Sequence, residues 1–474
     1  MSSQWLPVAD IARDVQAQKL SAVDLVDIAL KTIEDKKDYR AIIATTDERA
    51  RSRAAEIDGT VKAGKNAGRL AGVPFIAKDN FLVFGAETTA ASNILRGFNA
   101  PYQSTAIEKL EAEGAICVAK ANLDAFAHGA STENSDFFTT KNAHDKTRVP
   151  GGSSGGSATA VVLDMTPFAL GTDTGGSIRQ PASFSGCVGF KPTYGLVSRS
   201  GVVAMASSTD VIGPLTRSVE DAALILDVIS GIDPLDATTI DRQESYIPTA
   251  TDLKGKTVGV IKEYMSEGLE EGVRTVIESS IETLKKAGAT IQEISIPSID
   301  MALAVYYILC PAEVSSNLSR YDGQRYGYSD KEANDLEESY KKSRGHGFGK
   351  EAKRRIMIGT YVLSSGYYDA YYKKAQLVRT KLINEFNEAF GKVDYLIGPI
   401  APTTAFKIGQ NSNDPLQMYL CDVMTVAANI VGNPSICIPA GKSENLPVGL
   451  QVMSKQRTDK ELLQISQAIE GLLV

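Results

Sequence analysis

Two glycine-serine clusters, separated by an apolar run, constrain this chain more than any other feature. Gly151-Gly152-Ser153-Ser154-Gly155-Gly156-Ser157 and Thr174-Gly175-Gly176-Ser177 flank residues 158–170, which are largely apolar. Glycine lacks a Cβ, so its backbone reaches conformations closed to other residues and can approach a ligand closely. A flexible Gly/Ser linker would lack the apolar core between the clusters. The pattern predicts two loops at the edge of a buried core, brought together to form a site.

Phosphate-binding signatures do not fit. There is no G-x-x-x-x-G-K-[ST] and no G-x-G-x-x-G after a strand. Ser177 is flanked by Gly175-Gly176 and Ile178-Arg179, which is not the G-x-S-x-G nucleophile elbow. A serine nucleophile needs a base. None of the three histidines, His128, His144 and His346, stands in either cluster, and His128 is assigned no chemistry. Lysine is the other available base, and Lys78 ends the short apolar stretch Val73-Pro74-Phe75-Ile76-Ala77 just before Asp79-Asn80. Function is often carried where a strand gives way to a loop.

Lys78, Ser153 and Ser177, with GGSSGG and TDTGGSIRQP around the serines, resemble the Lys-Ser-Ser triad of the amidase signature family. The serines stand 24 positions apart, as in that family. The likeness continues through Phe184-Ser185-Gly186-Cys187-Val188-Gly189-Phe190-Lys191-Pro192-Thr193-Tyr194-Gly195 and Ser218-Val219-Glu220-Asp221. Ser131-Thr132-Glu133-Asn134-Ser135, the 317–323 segment and the tyrosine-rich 363–372 segment are similar to the aspartyl/glutamyl-tRNA amidotransferase branch of the family. The resemblance covers nearly the whole chain.

That resemblance implies an α/β fold: a large twisted mixed sheet between helices, forming one domain over residues 1–474. Its core motif region would span about 70–235, with a less regular, substrate-recognising helical part at about 299–390. It also implies glutamine hydrolysis through an acyl-enzyme, with Ser177 as nucleophile, Ser153 as proton relay and Lys78 as base. In the family the peptide entering the relay serine is cis, here Gly152–Ser153. Backbone N–H groups of Thr174, Gly175, Gly176 and Ser177 would form the oxyanion hole. Asp173 and Arg179 flank that loop as braces. Lys78 must be neutral to act as base, a handicap of roughly 4.6 kcal/mol at pH 7 for a free lysine. Burial away from carboxylates is the expected remedy, and Asp79, next on the strand, should face the other way.

Glutamine carries a carboxylate and an ammonium group, so an arginine and an acid are expected near the triad. By the family's motifs the substrate-binding residues fall on Tyr306, Arg355 and Asp422. Tyr307 and Arg354 are the one-residue alternatives, and helix geometry predicts that only one of each pair lines the pocket. No metal is expected. The implied partners are two other subunits in a heterotrimer, one holding the aminoacyl-tRNA and using the ammonia with ATP and magnesium. A free-standing amidase acting on another small amide and a catalytically silent scaffold are the competing readings.

Composition agrees with this division of labour. The 474 residues are 43% hydrophobic and 23% charged, an ordinary globular composition with ample core. The net charge of −7 argues against an extensive nucleic-acid face on this chain. Five cysteines, with no C-x-x-C pair, suit a reducing compartment rather than disulfides or zinc. The first residues lack a basic and then apolar leader, and no uninterrupted apolar run reaches ~18 residues, so a cytoplasmic protein without a membrane span is expected.

Periodicity predicts helices within 8–35, at 47–63 and at 105–114, with strands at 73–77 and 115–119 buried on both faces. Residues 218–231 form a further capped helix. A βαβ-like unit is read at 256–296, with strands at 256–261 and 290–296. Long tyrosine-rich helices follow at 299–319 and 353–390. The charged run between them is read mostly as a solvated connector. Strands return at 393–397, 435–439 and 448–452.

Overall fold

The computed structural model describes residues 4–242 and 244–473. One 11-stranded mixed sheet runs through the molecule. Its strands are β1 (Ile42–Thr45), β2 (Pro74–Lys78), β3 (Ile116–Ala121), β4 (Phe168–Asp173), β5 (Val188–Lys191), β6 (Val211–Thr216), β7 (Thr257–Ile261), β8 (Thr290–Ile294), β9 (Tyr395–Pro399), β10 (Ser435–Ser443) and β11 (Leu446–Met453). Their order is β1-β3-β2-β4-β6-β5-β10-β11-β9-β7-β8. The expected α/β class, with a mixed sheet among helices, is what is found.

Strands β2, β3, β4, β6, β9 and β11 are buried along their whole length. Strands covered on both faces read as continuous apolar runs rather than alternating ones. The edge strands β1 and β8 are the more exposed, and β8 blunts its edge with Gln292 and Glu293. Around the centre β2 pairs in parallel with β3 and β4, so both glycine clusters and Lys78 meet at the carboxyl ends of adjacent strands. The βαβ expectation also holds: β7 and β8 pair in parallel, joined through the helix Glu271–Lys286.

Three local expectations change. The first cluster is only half loop, because Gly155–Val162 is a helix that starts directly after Ser154. The charged run is not merely a connector. Asp335 caps a helix at Leu336–Gly347 by accepting from Glu338 N at 2.8 Å, and a second helix, Lys350–Val362, follows. The 353–390 stretch is interrupted beyond Val362 and resumes through a π-turn at Asp369–Lys373 into the helix Lys374–Ala389. The stretch Ile299–Arg320 is long and apolar enough to cross a membrane by length and composition alone; half of its most apolar window is buried, and within it the helix Ala302–Asn317 carries Tyr306 into the core.

Candidate active site

Lys78 ends β2 and is fully buried. Its Nζ stands 2.8 Å from Ser153 Oγ, 2.9 Å from Ser154 Oγ and 3.0 Å from Thr172 Oγ1. No carboxylate forms an ion pair with it among the described residues. Burial therefore dominates and lowers its pKa to about 7, against the opposing pull of Asp124, Asp173 and Asp210. Asp79 faces away, as expected of the next residue in an extended segment, and pairs with buried Lys120 at 2.7 Å.

The Gly152–Ser153 peptide is cis, as the resemblance implies. Ser153 is fully buried, whereas Ser177 keeps 8% of its surface exposed. The two serine loops are joined by Ser154 N donating to Ser177 O at 3.1 Å. No hydrogen bond links the Ser153 and Ser177 hydroxyls among the described residues. The structure thus brings Lys78 and Ser153 into direct contact, while the Ser177 hydroxyl makes no hydrogen bond among the described residues.

The second loop is held from below. The Asp173 carboxylate accepts from Gly176 N at 2.8 Å, Ile178 N at 3.1 Å and Arg179 Nε at 3.0 Å. The Arg179 guanidinium holds that carboxyl down, at about 2, although burial opposes it. Arg179 in turn reaches Gln451, Asn429 and Thr425 O. Both residues brace the loop. Gly176 N–H is engaged by Asp173, whereas the N–H groups of Thr174, Gly175 and Ser177 have no hydrogen-bond acceptor among the described residues. Thr174 turns its hydroxyl to Asp210 at 2.7 Å. Glycine is required at two positions. A Cβ on Gly175 would lie 2.7 Å from Tyr306 Cζ, and one on Gly176, at φ +133°, would lie 2.2 Å from Thr425 Oγ1.

The expected substrate residues converge beside this loop. Tyr306 packs its ring against Gly175. Tyr307 donates its hydroxyl to Asp422 Oδ2 at 2.9 Å and stacks on Tyr419 with ring centroids 3.9 Å apart. Arg355 is buried, bonds Glu351 Oε1 at 2.9 Å, and lies 5.3 Å over the Tyr307 ring. The Arg354 side chain is 42% exposed and pairs with the outer side of Glu351. Of the two neighbouring tyrosines only Tyr307 lines the cavity beside Arg355, the one-residue alternative to Tyr306, while Tyr306 packs on the Gly175 loop; the two rings meet edge-on at 5.0 Å. Both arginines also border the narrow cavity of about 100 Å³ formed by Tyr307, Glu351, Tyr419 and Asn134, though only Arg355 is buried. Burial raises the Asp422 carboxyl to about 7, with Tyr307 and Arg355 pulling it back.

Sequence reasoning missed Ser154 and Thr172, which complete the lysine's surroundings, and Asp124. The last accepts from Thr132 N at 2.8 Å and Asn134 N at 3.0 Å, tying the 131–134 loop beside Gly152. The doubled serine and the TDT triplet were visible signals for the first two. Nothing local marks Asp124.

Three comparisons bear on this geometry. The family model described as Amidase matches residues 24–463. The chain is 52% identical over 462 residues to the glutamyl-tRNA(Gln) amidotransferase A-subunit of Caldanaerobacter subterraneus subsp. tengcongensis, covering 97% of this chain and 93% of that protein. It is 51% identical to the protein of the same name from Thermoanaerobacter pseudethanolicus, covering 98% and 96%. Among solved structures, the glutamyl-tRNA(Gln) amidotransferase A-subunit of Thermotoga maritima superposes with a TM-score of 0.81 at 41% identity, covering 97% and 94%. A crystal structure described as an amidase gives 0.85 at 29% identity, covering 99% and 100%.

Proposed function

Since the chain belongs to the amidase family, we propose that it is the glutamine-hydrolysing component of a tRNA-dependent amidotransferase. The observation that carries this reading is the pairing of a buried Lys78–Ser153 contact with an arginine and an acid beside the same loop. A generic amidase needs only the former. A free amino acid amide needs both.

Ser177 Oγ attacks the glutamine carboxamide carbon, and its proton passes through Ser153 toward Lys78. Two N–H groups of a neutral Lys78 are accepted by Ser154 Oγ and Thr172 Oγ1, which leaves the lone pair for the Ser153 hydroxyl. Ser154 is fixed in its accepting role because it donates to Thr172 O at 3.2 Å. The Ser177–Ser153 contact forms as substrate seats, since catalytic hydrogen bonds are often long before it does. Gly175 and Ser177 N–H groups, with Thr174 N–H alongside, stabilise the oxyanion, each worth ~3 kcal/mol. The C–N bond then breaks, the relayed proton leaves with the amine as ammonia, and water releases glutamate from the Ser177 ester. Arg355 takes the glutamine carboxylate and Asp422 its ammonium, with Tyr306 as the wall between them and the loop.

The ammonia passes to a partner that converts Glu-tRNA(Gln) or Asp-tRNA(Asn) using ATP and magnesium bound there, within a cytoplasmic heterotrimer. A net charge of −7 supports placing the tRNA mainly on that partner. Purification from the native host, followed by glutamine-dependent amidation of Glu-tRNA, tests this reading. Recovery as a lone chain, fully active on amides without an amino acid backbone, would contradict it.

A further inference from the structure

Strands β4 and β6 pair antiparallel, with Thr172 opposite Ile212 and Asp173 opposite Val211. Thr174 and Asp210 are the next pair outward, one residue beyond the end of the ladder. There the backbones stop pairing and the side chains take over: Thr174 Oγ1 donates to Asp210 Oδ1 at 2.7 Å. Asp210 is itself fixed, accepting from Met205 N at 2.9 Å and Ala206 N at 3.1 Å. The 205–208 turn is tied in its turn to the helix Ala302–Asn317. Asn317 Nδ2 donates to Met205 O at 3.0 Å, and Ser208 N to Glu313 Oε2 at 2.8 Å.

Most of the oxyanion loop is held through its carbonyls. Asp173 O accepts from Asn429 Nδ2 at 2.9 Å, Gly175 O from Thr425 Oγ1 at 2.6 Å and Gly176 O from Gln180 N at 2.8 Å. These bonds fix the peptide units 173–174, 175–176 and 176–177. The unit between them, 174–175, has neither its carbonyl nor its N–H bonded among the described residues. Gly175 has no side chain to anchor it, and glycine backbone turns more freely than any other. The Thr174 hydroxyl is therefore the hydrogen-bonded tether that this unit has left, and Thr174 is buried at 1% exposure.

We infer that Asp210 is a positioning residue for the reaction: through the Thr174 hydroxyl it sets the direction of the Gly175 N–H, the oxyanion donor that no backbone bond of the loop orients. This role rests on the proposed function, because it needs an oxyanion formed when Ser177 attacks the amide. A carboxylate suits the task, since its two oxygens accept the threonine hydroxyl and both backbone N–H groups. An amide in its place offers one oxygen, so one of those donors would meet an N–H instead. Asp210 also acts at longer range. With Asp124 and Asp173 it favours the charged form of Lys78, so its hydrogen bond and its charge give separable signals.

Ammonia release from glutamine by the assembled complex, with thermal unfolding measured alongside, tests this in Thr174→Val, Thr174→Ser, Asp210→Asn and the Thr174→Val/Asp210→Asn double variant. Thr174→Val and Asp210→Asn are each expected to lower kcat about 10–100-fold, part of what a whole oxyanion donor supplies, with KM moved less than about threefold. The double variant should lie within about threefold of the poorer single, and Thr174→Ser, which keeps the hydroxyl, should lose less than Thr174→Val. The kcat inflection at about pH 7 should stay in place in Thr174→Val. It should move to lower pH in Asp210→Asn, where Asp124 and Asp173 alone are left to favour charged Lys78. Thr174→Val exchanges a buried hydroxyl for a methyl of like size, and it carries the test if Asp210→Asn does not fold. Wild-type kcat in Thr174→Val, losses that multiply in the double variant, or an inflection displaced by Thr174→Val overturns the assignment and leaves the proposed function standing. A wild-type complex that releases no ammonia from glutamine sinks both.

Discussion

Lys78 Nζ and Ser153 Oγ are 2.8 Å apart in a fully buried setting, with no carboxylate paired to the lysine among the described residues. A base held in this way titrates where a free lysine does not. Its pKa of about 7 means that kcat for glutamine hydrolysis, with Asp422 already paired to the substrate ammonium, should rise roughly tenfold per pH unit up to about 7 and then level, whereas kcat/KM should rise more steeply because the free enzyme must also ionise Asp422. A kcat profile at saturating glutamine between about pH 5 and 9 checks this. An activity flat across that range would remove Lys78 as the base.

The same burial has a consequence for stability. The folded pKa of about 7 lies below the unfolded value of ~10.4, so between these limits the unfolded chain binds more protons and stability rises with pH. Lys78→Met removes that contribution. The wild type should therefore gain about 2–3 kcal/mol on the variant between about pH 7 and 9. Denaturant unfolding of both proteins at the two pH values measures it, and parallel pH dependences would refute it. Lys191, also buried and lowered to about 7, cancels because both proteins keep it.

If Lys78 and Ser153 act as one relay, their losses are non-additive. Lys78→Ala and Ser153→Ala should each lower kcat by roughly 10²–10⁴, and the double variant should be little worse than the poorer single. Lys78→Arg should not rescue, since a guanidinium does not deprotonate in proteins. Steady-state kinetics of the wild type and the four variants decide the matter. Losses that multiply in the double variant would separate the two residues.

Much of this arrangement was legible in the sequence, for a physical reason. Lysine at the end of an apolar strand and glycine beside serine are residue types that little else than a constrained site tolerates together. Tyr306, Arg355 and Asp422 required the family's motifs, because a tyrosine or arginine on a helix looks the same whether it faces solvent or a pocket. The roles of Tyr307, Glu351 and Tyr419 depend on which helix faces meet across the fold, and those contacts join residues more than 60 positions apart. Gly176 illustrates the opposite limit. Its motif suggested an oxyanion donor, but the Asp173 carboxylate three residues earlier takes its N–H.

Substrate recognition separates neighbours that the sequence could not. Arg355→Lys should raise KM for glutamine about 10–100-fold, because a point charge cannot keep both Glu351 and a carboxylate. Arg354→Lys, on the exposed side, should change it less than about threefold. Comparing KM for the two variants tests the assignment, and the reverse order would move the carboxylate site to Arg354.

Gly175→Ala places a Cβ 2.7 Å from Tyr306 Cζ, so either the ring or the loop must move. Turnover should fall by about 10–10³-fold through the displaced N–H donors, with the global fold retained. Ammonia release and thermal unfolding measured side by side check this. Full turnover would show that the 175 N–H takes no part in stabilising the oxyanion.

The central claim is that Ser177 attacks glutamine. Its most direct measurement is ammonia release from glutamine by the assembled complex carrying either the wild-type chain or Ser177→Ala. The account predicts release at the uncatalysed background for Ser177→Ala, with assembly intact and ammonium salts still supporting amidation of the tRNA by the partner. Undiminished ammonia release from glutamine by Ser177→Ala would contradict it.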